Sequence, residues 1–106
     1  SNILDFETPM QRDEVDPAWH LYPLRVPSDR RREIFEFARE ANVGVQVNYI
    51  PAYWNPAFDQ DEYPRGLCPV AEMFYAREIS LPMHTRLSAT EQSHVIDTLS
   101  GACKKL

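Results

Sequence analysis

A chain of 106 residues with 43% apolar and 25% charged residues has the composition of one globular domain, with enough apolar side chains for one modest core. Its net charge is −5 and its basic residues cluster only at Arg30-Arg31-Arg32, beside Asp29, Glu33 and Glu36. That pattern reads as a solvated helix face and excludes a nucleic-acid patch. No run of about 18 apolar residues exists to span a membrane. No charged-then-apolar leader is seen, so a cytoplasmic location is expected, with Cys68 and Cys103 as free thiols.

Residues 1–16 are polar and acidic without a clear period. They read as an extended lead-in from a preceding large domain, with 17–106 folding as the domain proper. Ala18–Val26 is aromatic and apolar enough for a strand, and Pro23, which cannot donate to a ladder, marks it as an edge or a bulge. Ser28 or Asp29 is placed to cap a helix running to about Ala41, with Ile34, Phe37, Ala38 and Ala41 on its apolar face. Asn42 and Gly44 tolerate the left-handed conformation that stops helices. Val45–Tyr49 alternates as a half-buried strand would.

The segment 50–66 holds Pro51, Pro56 and Pro64 among four aromatic residues. A loop of that length in a compact domain is functional or packed on a partner, and its aromatics argue against disorder. Pro69 suits the first turn of a helix to about Arg77, with Val70, Met73 and Phe74 inward. Ile79–Leu81 is a short strand closed by Pro82. Ser88-Ala-Thr-Glu91 is a capping box, and the helix it opens carries Val95, Ile96, Leu99 and Ala102 inward. Lys104 and Lys105 complement the helix C-terminus. The order predicts an α+β two-layer domain: a small antiparallel or mixed three-stranded sheet with three helices on one face.

Few residues carry recognisable chemistry. His20, His84 and His94 are too widely spaced for a zinc site, and the cysteines add no ligand pattern. His94 reads as an exposed helix residue. His20 is either a satisfied core histidine or a pocket donor. There is no nucleophile elbow and no glycine loop to cradle a phosphate. Asp59, Asp61 and Glu62 read as a solvated loop edge. The only lysines are Lys104 and Lys105, and the end of a helix offers neither of them the burial that a Schiff-base amine uses. The segment Asn48-Tyr49-Ile50-Pro51-Ala52-Tyr53-Trp54-Asn55-Pro56 gathers amide and aromatic groups after a strand end, where binding sites form. Taken alone, these residues favour a structural loop with its aromatics packed beneath it.

Five pieces occur in a meaningful order: His20–Val26 (HLYPLRV), Ala41–Val45 (ANVGV), Val47–Pro56 (VNYIPAYWNP), Cys68–His84 (CPVAEMFYAREISLPMH) and Leu87–Leu99 (LSATEQSHVIDTL). Their succession is similar to the C-terminal, small domain of the DegT/DnrJ/StrS aminotransferases, pyridoxal-phosphate enzymes acting on nucleotide-linked keto sugars. The resemblance runs from about Ala18 to Leu106. It implies a homodimeric parent enzyme whose missing large domain supplies the Schiff-base lysine, the aspartate on the pyridine nitrogen and most phosphate contacts. It implies a ping-pong transamination with glutamate as donor, in polysaccharide or surface-glycan biosynthesis. Among such enzymes, the loop looks most like those that aminate a UDP-linked 4-keto-6-deoxy sugar.

The same resemblance places Asn48, Tyr49, Tyr53, Trp54 and His20 as substrate-binding residues. Asn48 stands where the family often has histidine, which favours hydrogen bonding over acid–base work, and His20 matches the histidine of the family's first small-domain strand. No catalytic residue, cofactor contact or metal ligand is expected in the chain itself, which is expected to be inactive alone. The competing expectation is a free-standing, non-catalytic module for sugar-nucleotide binding or for assembly.

Overall fold

The computed structural model describes residues 6–105, with the Lys105 side chain outside that description. The first five residues of the expected lead-in lie outside the described residues. In chain order the elements are β1 (Tyr22–Arg25), α1 (Arg31–Glu40), a 3-10 turn (Ala52–Trp54), α2 (Pro69–Arg77), β2 (Glu78–Leu81) and α3 (Ala89–Lys105). The mixed class and the three helices agree with the sequence reading. The sheet does not: it has two strands, β1 and β2, paired antiparallel with Tyr22 opposite Leu81 and Arg25 opposite Glu78.

The register explains why the expected third strand, 45–49, shrinks to a single bridge. Gln46 and Ser80 exchange both backbone hydrogen bonds, at 3.1 and 2.7 Å. On one side, the next pair in register sets Gly44 against Pro82, which has no N–H to give. On the other it sets Asn48 against Glu78, and there the Asn48 amide donates instead to the Glu78 side chain, Oε2, at 2.9 Å. A side-chain acceptor has taken the donor that would have continued the ladder.

Similar logic shortens the first strand from 18–26 to β1. Glu7 bridges Arg25 through hydrogen bonds of 2.8 and 2.9 Å, so the lead-in begins a ladder on the outer edge of β1. The next position would set Pro9 against Pro23, and neither has a donor. Pro23 itself is tolerated because its partner Ser80 directs its backbone groups toward Gln46.

The helix ends carry one correction and two agreements. Ser28 and Asp29 do not cap α1; they lie in a turn closed by the Arg30 amide on the Pro27 carbonyl at 3.0 Å, and Arg30 becomes the N-cap without a side-chain cap. The end of α1 is a Schellman motif. Asn42 sits at φ 63°, the Val43 amide reaches the Ala38 carbonyl at 2.9 Å and the Asn42 amide reaches Arg39 at 3.0 Å. At α3 the Glu91 amide donates to Ser88 Oγ at 3.1 Å, while the glutamate accepts from the Ser88 hydroxyl at 3.0 Å rather than from its amide.

The core is built from Leu24, Val26, Ile34, Ala38, Val43, Val45, Ile79, Val95, Leu99 and Ala102, all buried, with Phe6, Phe35, Phe37 and Leu81 packed against it. Two expected inward faces are corrected. Ile96 is 56% exposed, because Val95, Leu99 and Ala102 already define the buried stripe of α3. Val70, Met73 and Phe74 are exposed, and α2 buries no residue fully. Its half-buried residues are Glu72, Tyr75, Ala76 and Arg77, and of these Glu72 and Tyr75 meet the long loop. Among the described residues no helix is long and apolar enough to cross a membrane.

Candidate functional site

The loop that leaves the Gln46 bridge is held by side chains at both ends. At its start, the fully buried Glu78 accepts the Asn48 amide on Oε2 and the Ser80 hydroxyl on Oε1. The Asn48–Tyr49 peptide bond is cis. The chain then crosses buried Pro51 and makes a 3-10 turn closed by the Trp54 amide on the Pro51 carbonyl at 2.9 Å. At its end, Glu72 Oε2 accepts the Gly66 amide at 2.6 Å and the Tyr53 hydroxyl. The Tyr53 oxygen in turn accepts the Cys68 amide at 3.1 Å, at the N-cap of α2. Gly66 turns the chain at φ 93°, a conformation that costs glycine little.

Stacked rings and guanidinium groups join this loop to the helices. Arg65 lies over the Trp54 ring, 4.0 Å from its centroid. Trp54 meets Tyr75 of α2 edge-on with centroids 5.6 Å apart. Arg31 of α1 lies over Tyr75 at 5.2 Å and also donates to the Tyr75 carbonyl. Each cation over a ring is attracted by the ring's quadrupole.

The electrostatics of the Tyr53–Glu72 pair follow from this geometry. The Tyr53 hydrogen bond holds the Glu72 carboxyl below the usual glutamate range, outweighing the opposing effect of desolvation, and the Gly66 amide adds to the lowering. Desolvation pushes the Tyr53 hydroxyl above its ordinary value, and the hydrogen bond to Glu72 pushes it further. The Trp54 indole N–H lies near enough to favour the charged form of both, yet outside hydrogen-bond geometry.

The five sequence-predicted residues fare differently. Tyr49 is 66% exposed and presents its ring to solvent. The hydroxyl of Tyr53 is committed to Glu72. One face of Trp54 is covered by Arg65. Asn48 Oδ1 and Trp54 Nε1 are buried without a partner among the described residues. Buried polar groups in folded proteins are usually hydrogen-bonded, which makes these two atoms candidates for a further contact. His20 is exposed just before β1, and among the described residues no hydrogen bond, ion pair or ring contact joins it to the loop. The structure therefore groups Asn48, Tyr49, Tyr53 and Trp54 on one loop and leaves His20 apart.

Sequence reasoning missed Glu72, Glu78 and Arg65. The available signal was an acidic residue inside an apolar run, at Val70-Ala71-Glu72-Met73 and again at Glu78-Ile79-Ser80-Leu81. Elsewhere, an apolar groove of about 690 Å³ runs between the sheet and α3, lined by Tyr22, Leu81, Leu87, Ile96 and Cys103 among others, and it includes none of the five. No group of three or more potential metal ligands exists among the described residues.

Residues 2–100 match the DegT/DnrJ/EryC1/StrS aminotransferase family. The chain belongs to this family. It is 36% identical over 108 residues to the uncharacterized protein MJ1066 of Methanocaldococcus jannaschii, covering 97% of this chain and 27% of that protein. It is 30% identical over 108 residues to the UDP-4-amino-4,6-dideoxy-N-acetyl-beta-L-altrosamine transaminase of Campylobacter jejuni, covering 95% of this chain and 27% of the enzyme. Its fold matches S. venezuelae DesV in complex with a ketimine intermediate, with a TM-score of 0.86, 26% identity, and coverage of 95% of this chain and 27% of DesV. The chain thus spans about a quarter of the length of the family members it matches.

Among the described residues no buried lysine is present to anchor this family's cofactor as a Schiff base. A Schiff-base lysine is normally desolvated or set beside another cation. Lys104 is exposed in the last turn of α3, and the Asn48–Gly66 loop contains no lysine.

Proposed function

We propose that residues 17–106 are the C-terminal, small domain of a pyridoxal-phosphate-dependent aminotransferase, that 1–16 lead in from its large domain, and that the whole enzyme transfers an amino group from glutamate to a nucleotide-linked keto sugar destined for a polysaccharide or surface glycan. The supporting observation is a family match over residues 2–100 by a chain that spans about a quarter of its relatives. The C. jejuni relative bears the name of a UDP-sugar transaminase, and the DesV structure holds a ketimine. In this reading pyridoxal phosphate, held by the large domain, supplies the electron sink for amino transfer. The enzyme is a cytoplasmic homodimer.

The part played by this chain is to bind, orient and exclude water. Tyr49 offers an exposed ring on which a sugar or base can lie. Asn48 brings a buried carbonyl oxygen still lacking a donor, and Trp54 an indole N–H still lacking an acceptor. Tyr53 holds the turn between them, and His20 meets the substrate from the β1 side once the rest of the enzyme is in place.

The test is to express the full reading frame that encodes this chain and assay amination of a UDP-linked 4-keto-6-deoxy sugar with glutamate, then to map the cofactor by borohydride reduction. The expected outcome is activity, with the reduced adduct on a lysine outside these 106 residues. A stoichiometric adduct within them would overturn the reading. So would a reading frame without a lysine-bearing domain, which would instead support a free-standing binding module.

A further inference from the structure

We infer that Glu72 and Glu78 are positioning residues, two carboxyl groups on α2 and β2 that grip the two ends of the 48–66 loop and hold it in its ligand-binding shape before any ligand arrives. This inference rests on the proposal that the loop carries the substrate contacts.

A loop of this length has many backbone groups to satisfy and much conformational freedom to lose. Ordering it on ligand binding would subtract that cost from affinity. The two carboxyl groups meet the cost in advance. Glu78 is 0% exposed, and no basic side chain pairs with it among the described residues. A carboxyl group at that depth is tolerated when its oxygens are hydrogen-bonded, and here one oxygen takes the Asn48 amide and the other the Ser80 hydroxyl. The grip falls at the residue where the backbone ladder ends, so it fixes the direction in which the loop departs.

Glu72 closes the other end. A single oxygen, Oε2, takes both the Gly66 amide and the Tyr53 hydroxyl, and Tyr53 passes the connection to the Cys68 amide. One carboxyl group therefore joins the 3-10 turn, the glycine at φ 93° and the start of α2. Between the grips, Arg65 covers Trp54. Phe58 and Tyr63 meet each other edge-on and Tyr53 is bound to Glu72, so among the described residues of the loop the ring left without such a contact is Tyr49, 66% exposed and next to the Glu78 grip. The clamp thus presents Tyr49, rather than Tyr53 or Trp54, as the ring available to a ligand.

The test is native-state hydrogen exchange, followed by NMR, on the 106-residue chain and its Glu72→Ala, Glu72→Gln and Glu78→Met variants. Tryptic cleavage at Arg65–Gly66 and the Trp54 indole signal are followed in parallel. Glu72→Ala is expected to speed exchange at Gly66 and Cys68 about tenfold or more, the factor that loss of a charge-assisted hydrogen bond implies. It should also speed cleavage at Arg65–Gly66 and shift the Trp54 signal. Exchange at Val43, in the Schellman motif, should not change. Glu72→Gln, which keeps an acceptor oxygen, should restore most of the protection. Glu78→Met should release Asn48 in the same way; if that variant fails to fold, the Glu72 variants decide. Unchanged exchange at Gly66 and Cys68 in Glu72→Ala would overturn the inference. An equal loss of protection at Val43 would also overturn it, since Glu72 would then be a general stabiliser. No ligand enters this measurement, so its failure leaves the proposed function standing. An intact clamp with failed amination would count against that function alone.

Discussion

The imidazole of His94, on α3, meets the carbonyl of Ala41, the residue that ends α1, at 2.7 Å. With its proton on Nε2 the ring donates to a carbonyl left without a helical partner. An exposed helix position thereby becomes a tie between two helices that pack on each other. His94→Ala is expected to lower stability by about 1 kcal/mol, the usual worth of one such hydrogen bond. Urea unfolding of the two proteins checks this, and an unchanged midpoint would mean that the contact is incidental.

The two sides of the α2–β2 unit should respond in opposite ways. Ile79 is fully buried in the core while Val70 is 84% exposed on α2. Ile79→Ala removes buried methyl groups and leaves a cavity, at an expected cost of about 2–5 kcal/mol. Val70→Ala should stay within about 0.5 kcal/mol of the parent. A large loss from Val70→Ala in the isolated chain would show that α2 packs its apolar stripe inward after all.

That contrast shows where sequence reasoning held and where it failed. Periodicity identified α1, α2 and α3 because a helix repeats its pattern locally, and the Asn42 stop is a local conformational preference. The apolar stripe of α2 was equally legible, but the pattern cannot say whether its partner lies within the chain. The third strand failed for a non-local reason: only the register reveals that Pro82 and the Glu78 side chain stand at the two positions where the Gln46 bridge would have to extend. The loop was recognisable from its prolines and aromatics. Its grips were not, because Glu72 and Glu78 act on residues far away in sequence.

The lead-in should be sensitive to salt. The Glu7 carboxylate lies 3.2 Å from Arg25 and 3.6 Å from Arg77, with all three side chains partly exposed. Pairs of this kind contribute little and are screened. Glu7→Gln is expected to cost about 0.5–1 kcal/mol at low ionic strength and less at about 1 M salt. The backbone bridge to Arg25 does not need the charge, so exchange at the Glu7 and Arg25 amides should change little. A loss that persists at high salt would contradict the electrostatic account.

The Tyr53–Glu72 pair should set the pH window of the loop. Glu72 is held below the ordinary glutamate range in the folded chain, chiefly by the Tyr53 hydrogen bond. The unfolded state therefore binds more protons over the interval between the two values, and stability rises with pH across it. The contribution is fully present above the ordinary range and is lost as pH falls through the lowered folded value. Tyr53 has the opposite displacement, raised first by desolvation and then by Glu72. Its contribution is complete below the ordinary tyrosine value and is lost as pH rises through the raised one. Protection of the Gly66 amide, corrected for intrinsic exchange, should therefore hold across neutral pH and fall at both extremes. Glu72→Gln should remove the acid limb, and Tyr53→Phe the alkaline one. An acid limb of undiminished size in Glu72→Gln would assign the transition to another carboxylate.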